Sequence, residues 1–133
     1  MKFRELVLSS GKQVLAGKNA ETNELLVKQA GKDEIVLHTS KPGSPFVNIK
    51  TRTKGSRNSY TIQDIKEATV FCAAFSQAWK KAKVKPKEIE VDYFLGKDIF
   101  KLPGMKPGTF GVKKHKTLTV KKEEIGEFET NRK

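Results

Sequence analysis

One acidic residue and one histidine lie at the two ends of a predicted strand, and this combination could perform acid–base catalysis. The two residues are Asp33 and His38, five positions apart. Along an extended strand, that separation places their side chains on opposite faces and about 16 Å apart. We therefore predict that Asp33 caps a turn and that His38 ends the strand. No catalytic residue is predicted, and an enzyme that uses this pair is kept as an alternative.

Two short segments that contain glycine and lysine superficially resemble phosphate-binding loops. They are Ser10-Gly11-Lys12 and Gly17-Lys18-Asn19. Neither has the spacing of a P-loop, whose glycines and lysine lie between a strand and a long helix, so we exclude a nucleotide hydrolase. The better phosphate candidate is Lys18 together with the backbone N–H groups at the start of the predicted short helix, because helix N-termini attract anions.

Basic residues recur in three runs where loops are predicted. The runs are Arg52, Lys54 and Arg57; Lys80, Lys81, Lys83, Lys85 and Lys87; and Lys113, Lys114, His115 and Lys116. A single run could be a solvated face, but three runs on one small domain predict a surface that contacts nucleic-acid phosphates. Lysines that alternate with apolar residues in the last strands also predict a basic face on the sheet.

The composition agrees with a polyanionic partner. The chain has 133 residues, with 27 Lys and Arg against 15 Asp and Glu, which gives a formal net charge of +12. This charge attracts RNA and DNA alike. The single cysteine, Cys72, cannot form an internal disulfide, and one cysteine with two histidines cannot form a zinc cluster. We predict no metal, no cofactor, no membrane anchor, no leader segment and a cytoplasmic location.

The hydrophobic pattern predicts an α+β fold in a single domain, with a mostly antiparallel sheet and one long and one short helix packed on it. Strands are predicted near residues 3–8, 14–16, 35–38, 46–50, 89–95, 109–112 and 117–120. The short helix begins after Asn19, a favourable N-cap. We assign the domain to residues 1–122 and expect residues 123–133 to be a weakly structured tail, because apolar residues are sparse there.

The long helix is predicted from its regular apolar spacing. Thr61 can cap it with Asp64 in the first turn, and apolar residues recur every three or four positions through Trp79 to Ala82. Trp79 and Cys72 lie on the apolar side of this helix, so we expect both to be core residues. The better candidates for stacking on bases lie in or beside strands and turns. They are Phe94, Phe100 and Phe110.

Several short motifs, each of which occurs once, follow one another along nearly the whole chain. They are Ser9-Ser10-Gly11, Ala16-Gly17-Lys18-Asn19, Thr22-Asn23-Glu24-Leu25, residues 33–38, Pro42-Gly43-Ser44-Pro45-Phe46-Val47, residues 67–76, Val91-Asp92-Tyr93 and residues 105–112. In this order the chain resembles the NFACT RNA-binding domain. That domain is the C-terminal module of ribosome-quality-control tail-elongation factors once called fibronectin-binding proteins, and it also occurs alone. The stand-alone form is the one expected here.

The resemblance implies a non-catalytic module that binds structured RNA, tRNA or ribosomal RNA, in translation or ribosome quality control. RNA is favoured over DNA, and the large ribosomal subunit is a candidate partner. The residues that match the motifs are Gly17, Lys18, Asn19, Asn23, Glu24, Asp33, His38, Gly43, Ser44, Pro107 and Gly108. The chain departs from the family pattern at Val36-Leu37, where a Trp-Phe pair usually precedes the histidine.

Motifs and basic runs together define the predicted RNA-binding residues. They are Lys18, Asn19, His38, Ser44, Arg52, Lys54, Arg57, Lys80, Lys81, Lys83, Lys113, Lys114 and Lys116. Two other functions stay open. One is a protein-interaction module on the ribosome or on translation factors, and the other is an RNA-processing enzyme that uses Asp33 and His38.

Overall fold

The structure, a computed structural model, describes residues 2–50 and 60–132. Its strands are β1 (Arg4–Val7), β2 (Gln13–Ala16), β3 (Ile35–Thr39), β4 (Val47–Ile49), β5 (Glu88–Leu95), β6 (Ile99–Phe100), β7 (Gly111–Val112) and β8 (Lys116–Lys121). Its helices are α1 (Ala20–Gln29), α2 (Ile62–Ala74), α3 (Gln77–Lys80) and α4 (Lys122–Asn131). The main sheet has the strand order β1-β2-β4-β3-β5-β8, and all neighbours are antiparallel. The predicted α+β fold with a mostly antiparallel sheet is confirmed.

Helices and loops pack on both faces of this sheet, but they cover one face more completely than the other. Helices α2 and α4 cover one face, where Phe71 and Ile125 pack with inward-facing strand residues in the larger core cluster. On the opposite face, α1 and the β6–β7 hairpin cover only the part around Val36, Phe46 and Phe94. Because that second layer is incomplete, part of the sheet face and the edges of the covering elements stay open to ligands.

Side-chain caps explain where α1 and α2 begin. The Asn19 side chain accepts a hydrogen bond from the backbone N–H of Thr22 at 2.9 Å. Thr61 and Asp64 form a reciprocal capping box, in which each side chain accepts the backbone N–H of the other residue. Both predicted N-caps are confirmed, since each satisfies N–H groups that have no partner within the helix.

The predicted long helix is wrong beyond Ala74, because the chain breaks into α2 and α3 there. The hydroxyl of the buried Ser76 donates to the carbonyl of Ala73 at 2.7 Å and accepts the backbone N–H of Trp79. The next backbone N–H, of Gln77, donates to the Gly43 carbonyl at 2.7 Å rather than within the helix. A local side-chain hydrogen bond and a contact with a distant loop therefore override the apolar periodicity.

The C-terminal segment that was expected to be weakly structured contains the helix α4. Its Ile125 is fully buried, and Phe128 packs against the same core. Glu129 accepts a hydrogen bond from the Trp79 indole N–H at 3.1 Å. Two apolar residues are enough to hold this helix against α2, because Ile125 and Phe128 lie three positions apart and therefore share one face of α4.

Replacement of Gly126 by alanine is expected to stabilise the protein by about 0.5–1 kcal/mol, because alanine is the better helix former. A Cβ at this position of α4 meets no atom within 4 Å. Urea unfolding followed by Trp79 fluorescence measures the change. An unchanged free energy of unfolding would mean that residues 122–131 are not helical in solution.

Two predictions about the last strands need correction. Of the predicted strand at 109–112, only Gly111–Val112 is extended, and it pairs with β6 outside the main sheet. The basic sheet face is also wrong, because Lys116 in β8 shares its face with the buried Val120. The opposite, open face presents threonines of β8 beside the carboxylates of β5. Thr117 pairs with Asp92 and Thr119 with Glu90, while the exposed Lys121 pairs with Glu88.

Candidate nucleic-acid interface

A groove of about 580 Å³ opens where four segments of the chain meet. Its walls are the β2–α1 turn, the loop that joins β3 to β4, the α2–α3 junction and the segment that precedes β7. Representative lining residues are Lys18, His38, Gly43, Lys80 and Gly108. These positions are far apart in the sequence, so only the folded chain creates the groove.

One wall of the groove is locked by hydrogen bonds between three motif residues. The backbone N–H of Gly17 donates to the Phe46 carbonyl at 3.0 Å. The backbone N–H of Phe46 donates in turn to Oδ1 of Asn23 at 3.0 Å. Asn23 Oδ1 lies so close to Gly17 that any Cβ there would overlap it. Glycine is therefore required at position 17, because any side chain there would overlap Asn23. The hydrogen bond from Phe46 to Asn23 joins the start of β4 to α1.

A second contact holds the segment before β7 against α1. Oε1 of Glu24 accepts the backbone N–H of Gly108 at 2.7 Å and the Lys101 ammonium at 3.0 Å. These two donors lower the pKa of Glu24 below its ordinary value, the Gly108 N–H being the larger cause. Gly108 has φ +79°, and its Cα faces the backbone of Ala20 closely enough that a Cβ would lie 2.9 Å from it. The segment can approach α1 only because this residue has no side chain.

The floor of the groove consists of aromatic rings. The His38 ring lies on Phe46 with centroids 4.4 Å apart, and Phe110 meets Phe46 edge to face at 5.5 Å. Nδ1 of His38 is 2.8 Å from the Thr39 carbonyl. Burial lowers the pKa of His38, so the ring is neutral at pH 7. A neutral ring that donates through Nδ1 leaves Nε2 as a hydrogen-bond acceptor.

His38 is expected to titrate below the ordinary histidine value of 6.5. Its ring resonance in NMR spectra measures the midpoint, and a His38→Gln variant assigns the signal. As the pH falls, the unfolded chain takes up a proton on His38 before the folded chain does. The protein therefore keeps its full stability with respect to His38 above pH 6.5 and loses stability as the pH falls from 6.5 toward the pKa of the folded state. A midpoint at or above 6.5 would contradict the burial of this ring.

Asp92 lies beside His38 in the sheet, directly between His38 and Thr117 in register. Its Oδ1 accepts hydrogen bonds from the hydroxyls of Ser40 and Thr117, both at 2.7 Å. Oδ2 is 3.9 Å from Nε2 of His115. This carboxylate repels phosphate from its edge of the groove, so an anion is directed toward the cations elsewhere on the rim.

Cations line the rest of the rim, and one of them was missed by the sequence analysis. Lys18 and Lys80 were predicted, whereas Arg4 was not. Arg4 belongs to a short strand, where an alternating pattern gives no signal of a site. Its Nη1 donates to the Gly17 carbonyl at 3.0 Å, and its guanidinium lies 4.6 Å from the centroid of the Phe75 ring. Phe75, which the sequence placed in a continuous helix, also lines the groove.

The structure brings only some of the predicted residues to the groove. Lys18, Asn19, His38, Ser44 and Lys80 line it. The side chains of Asn19 and Ser44 are also used internally, since Asn19 caps α1 and the buried Ser44 hydroxyl accepts the Thr39 N–H. Other predicted residues are exposed outside its lining: Lys81, Lys83, Lys113, Lys114 and Lys116. Arg52, Lys54 and Arg57 lie outside the described residues.

Features that would suggest other chemistry have structural explanations. Asp33 is exposed in the turn before β3 and does not line the groove with His38. Cys72 is fully buried in α2, and burial raises the pKa of its thiol to about 12, as expected of a core residue. Within residues 2–50 and 60–132, no three His, Cys, Asp or Glu side chains cluster as metal ligands. No helix in these ranges has the length and apolar character needed to cross a membrane.

Comparisons with known proteins agree with this geometry. An archaeal Rqc2 homolog, aRqcH of Methanocaldococcus jannaschii, is 39% identical over 80 residues, which are 59% of this chain and 11% of that protein. The C-terminal part of the fibronectin/fibrinogen-binding protein from Streptococcus suis has a similar fold, with a TM-score of 0.78 and 24% identity. That match covers 96% of this chain and 49% of the other. The family model of the NFACT protein RNA binding domain matches residues 2–114, and the chain therefore belongs to this family.

Proposed function

We propose that this chain is a non-catalytic module that holds folded RNA, either tRNA or ribosomal RNA, in its groove during ribosome quality control. One observation carries the proposal. Nine of the eleven residues that match the family motifs line this single groove, although they come from separate segments; only Glu24 and Asp33 do not. Some of these residues also hold the walls of the groove together, as Gly17 and Asn23 do, and a ligand shared by the separate segments would account for the convergence of the set.

The groove offers separate contacts for the two parts of a nucleotide. Phosphates are attracted to the cations of the rim, Arg4, Lys18 and Lys80. A base that leaves its stack can contact the rings of the floor, and Nε2 of the neutral His38 can accept a hydrogen bond from it. Folded RNA supplies such unstacked bases in loops and bulges, which supports RNA over duplex DNA as the ligand.

A binding function has more support than catalysis. The predicted acid Asp33 lies in an exposed turn, and the acid that does lie beside His38, Asp92, accepts two hydroxyl hydrogen bonds. The relative named as an Rqc2 homolog supports a place in ribosome quality control. As part of the same proposal, the partner is the large ribosomal subunit and the location is the cytoplasm. This chain spans 11% of that relative and about half of the streptococcal chain, so the proposal concerns the module alone.

The first experiment is a titration of the protein with labelled tRNA, an RNA hairpin and a DNA duplex of matched length at several salt concentrations. Neutralisation of about 4 to 6 phosphates gives a slope of log K against log salt near −3 to −5. We expect tighter binding to both folded RNAs than to DNA. A slope near zero would overturn the proposal, and equal weak binding to all three ligands would reduce it to a basic surface. Protein partners that survive nuclease treatment would favour the protein-interaction module.

A further inference from the structure

Three cations from different elements surround one half-buried aromatic ring at the α2–α3 junction. The ring is Phe75, which ends α2 and lines the groove. The guanidinium carbons of Arg4 and Arg132 lie 4.6 Å and 5.0 Å from its centroid, and Nζ of Lys80 lies at 5.7 Å. Arg4 comes from β1, Lys80 ends α3 and Arg132 follows α4. We call these four residues the Phe75 cluster.

Among the described residues, no carboxylate forms an ion pair with a cation of the Phe75 cluster. The ion pairs that the structure shows within residues 2–50 and 60–132 all involve other cations. Of the four carboxylates on α4, Glu124 accepts the backbone N–H of Lys121 and Glu129 accepts the indole N–H of Trp79. The guanidinium groups of Arg4 and Arg132 lie near the same ring, and burial, followed by the positive charge of Arg132, lowers the pKa of Arg4. An anion placed among these cations would reduce the repulsion between their charges.

The donors in the cluster suit a phosphate group. A guanidinium that lies over a ring keeps the N–H groups along its edge for other partners, and it can bind two phosphate oxygens at once. Arg4 uses Nη1 for the Gly17 carbonyl and has further N–H donors beyond it. Lys80 adds a flexible ammonium 5.7 Å from the centroid of the same ring. Guanidinium groups bind phosphate and carboxylate alike, and the RNA proposed as the partner supplies phosphates.

We propose that Arg4, Lys80 and Arg132 form a phosphate-binding site around Phe75, which takes one backbone phosphate of the RNA held in the groove. The inference rests on the proposed function only for the source of the phosphate. The site itself is inferred from the three cations around Phe75. Arg132 follows α4, which lies beyond residues 2–114 that match the family model. The C-terminal helix therefore contributes a cation to RNA binding, in addition to its packing on α2.

The site is tested first with inorganic phosphate and no RNA. Titration of the whole protein is followed through the backbone amide signals of Phe75 and Gln77 in NMR spectra. We expect saturable shifts at these residues, and binding two- to fivefold weaker in Arg132→Gln, as typical of the loss of one exposed charge contact. Arg132→Lys restores charge and is expected to recover part of the affinity. Lys66→Gln, an exposed lysine of α2 outside the groove, is the matched control.

A second arm uses labelled tRNA and separates the two proposals. Loss of one phosphate contact in Arg132→Gln reduces the salt slope by about 0.7–0.9, while Lys66→Gln leaves it unchanged. Trp79 fluorescence must stay unchanged in Arg132→Gln, because Trp79 contacts Glu129 of α4 and reports undocking of that helix. RNA binding with an unchanged slope in Arg132→Gln would overturn the phosphate site and leave the proposed function intact. Saturable phosphate shifts without any RNA binding would support the site and overturn the proposed function.

Discussion

Replacement of Gly17 by alanine is expected to destabilise the protein by about 2–6 kcal/mol. The new methyl group would overlap Oδ1 of Asn23 and lie 2.9 Å from its Cγ. Overpacking of this kind costs about 1–3 kcal/mol. Asn23 can move away only by releasing the backbone N–H of Phe46, and an unsatisfied buried N–H costs a further 1–3 kcal/mol or so. Urea unfolding, followed by Trp79 fluorescence, measures the loss.

A double-mutant cycle identifies the cause of this loss. In an Asn23→Ala background the overlapping side chain is absent, so Gly17→Ala is expected to cost much less than in the parent. Gly126→Ala is the control for the same chemical change at a glycine with open space around it, and its effect has the opposite sign. A Gly17→Ala variant as stable as the parent would show that the wall of the groove is not closely packed.

The starts of helices were predicted correctly from the sequence where a single capping residue determines the boundary. Asn19 and Thr61 begin helices because their side chains satisfy the first backbone N–H groups, and this interaction spans only three residues. The break at Ser76 was not predictable in the same way. It depends on the Gly43 carbonyl, which takes the N–H of Gln77 and belongs to a loop more than thirty residues earlier. Tertiary contacts of this kind leave no trace in apolar periodicity.

The candidate site was only partly predictable for the same reason. The resemblance supplied motif residues such as His38 and Gly108, but nothing in their spacing indicates that they line one groove. Charge runs identified Lys80, whereas Arg4 and Arg132 are isolated in the sequence and meet only around Phe75. Val36 and Leu37, at the positions of the family's aromatic pair, are fully buried. The aromatic floor of this chain therefore consists of His38, Phe46 and Phe110.

The acidic residues of β5 sharpen the expected path of RNA across the molecule. Glu88, Glu90 and Asp92 occupy alternate positions of β5 on the open sheet face, and only Glu88 is paired with a cation of β8, Lys121. This face therefore attracts phosphates less than the net charge of +12 alone suggests. Phosphates are favoured instead along the rim of the groove, from Lys18 to Lys80. Binding through this rim predicts that the position of a lysine matters more than the total number of lysines.

Removal of two rim charges in the variant Lys18→Gln/Lys80→Gln is expected to weaken tRNA binding about tenfold at ~0.1 M salt, which is ~1.4 kcal/mol. If each lysine neutralises one phosphate, the salt slope falls by about 1.4–1.8. The control Lys28→Gln/Lys66→Gln removes the same charge from exposed positions outside the groove. Its effect is expected to be small, because salt screens charges more than about 10 Å from the RNA. Filter binding at several salt concentrations measures the tRNA affinity of both variants. Equal losses of affinity in the two variants would mean that RNA contacts the basic surface without using the groove.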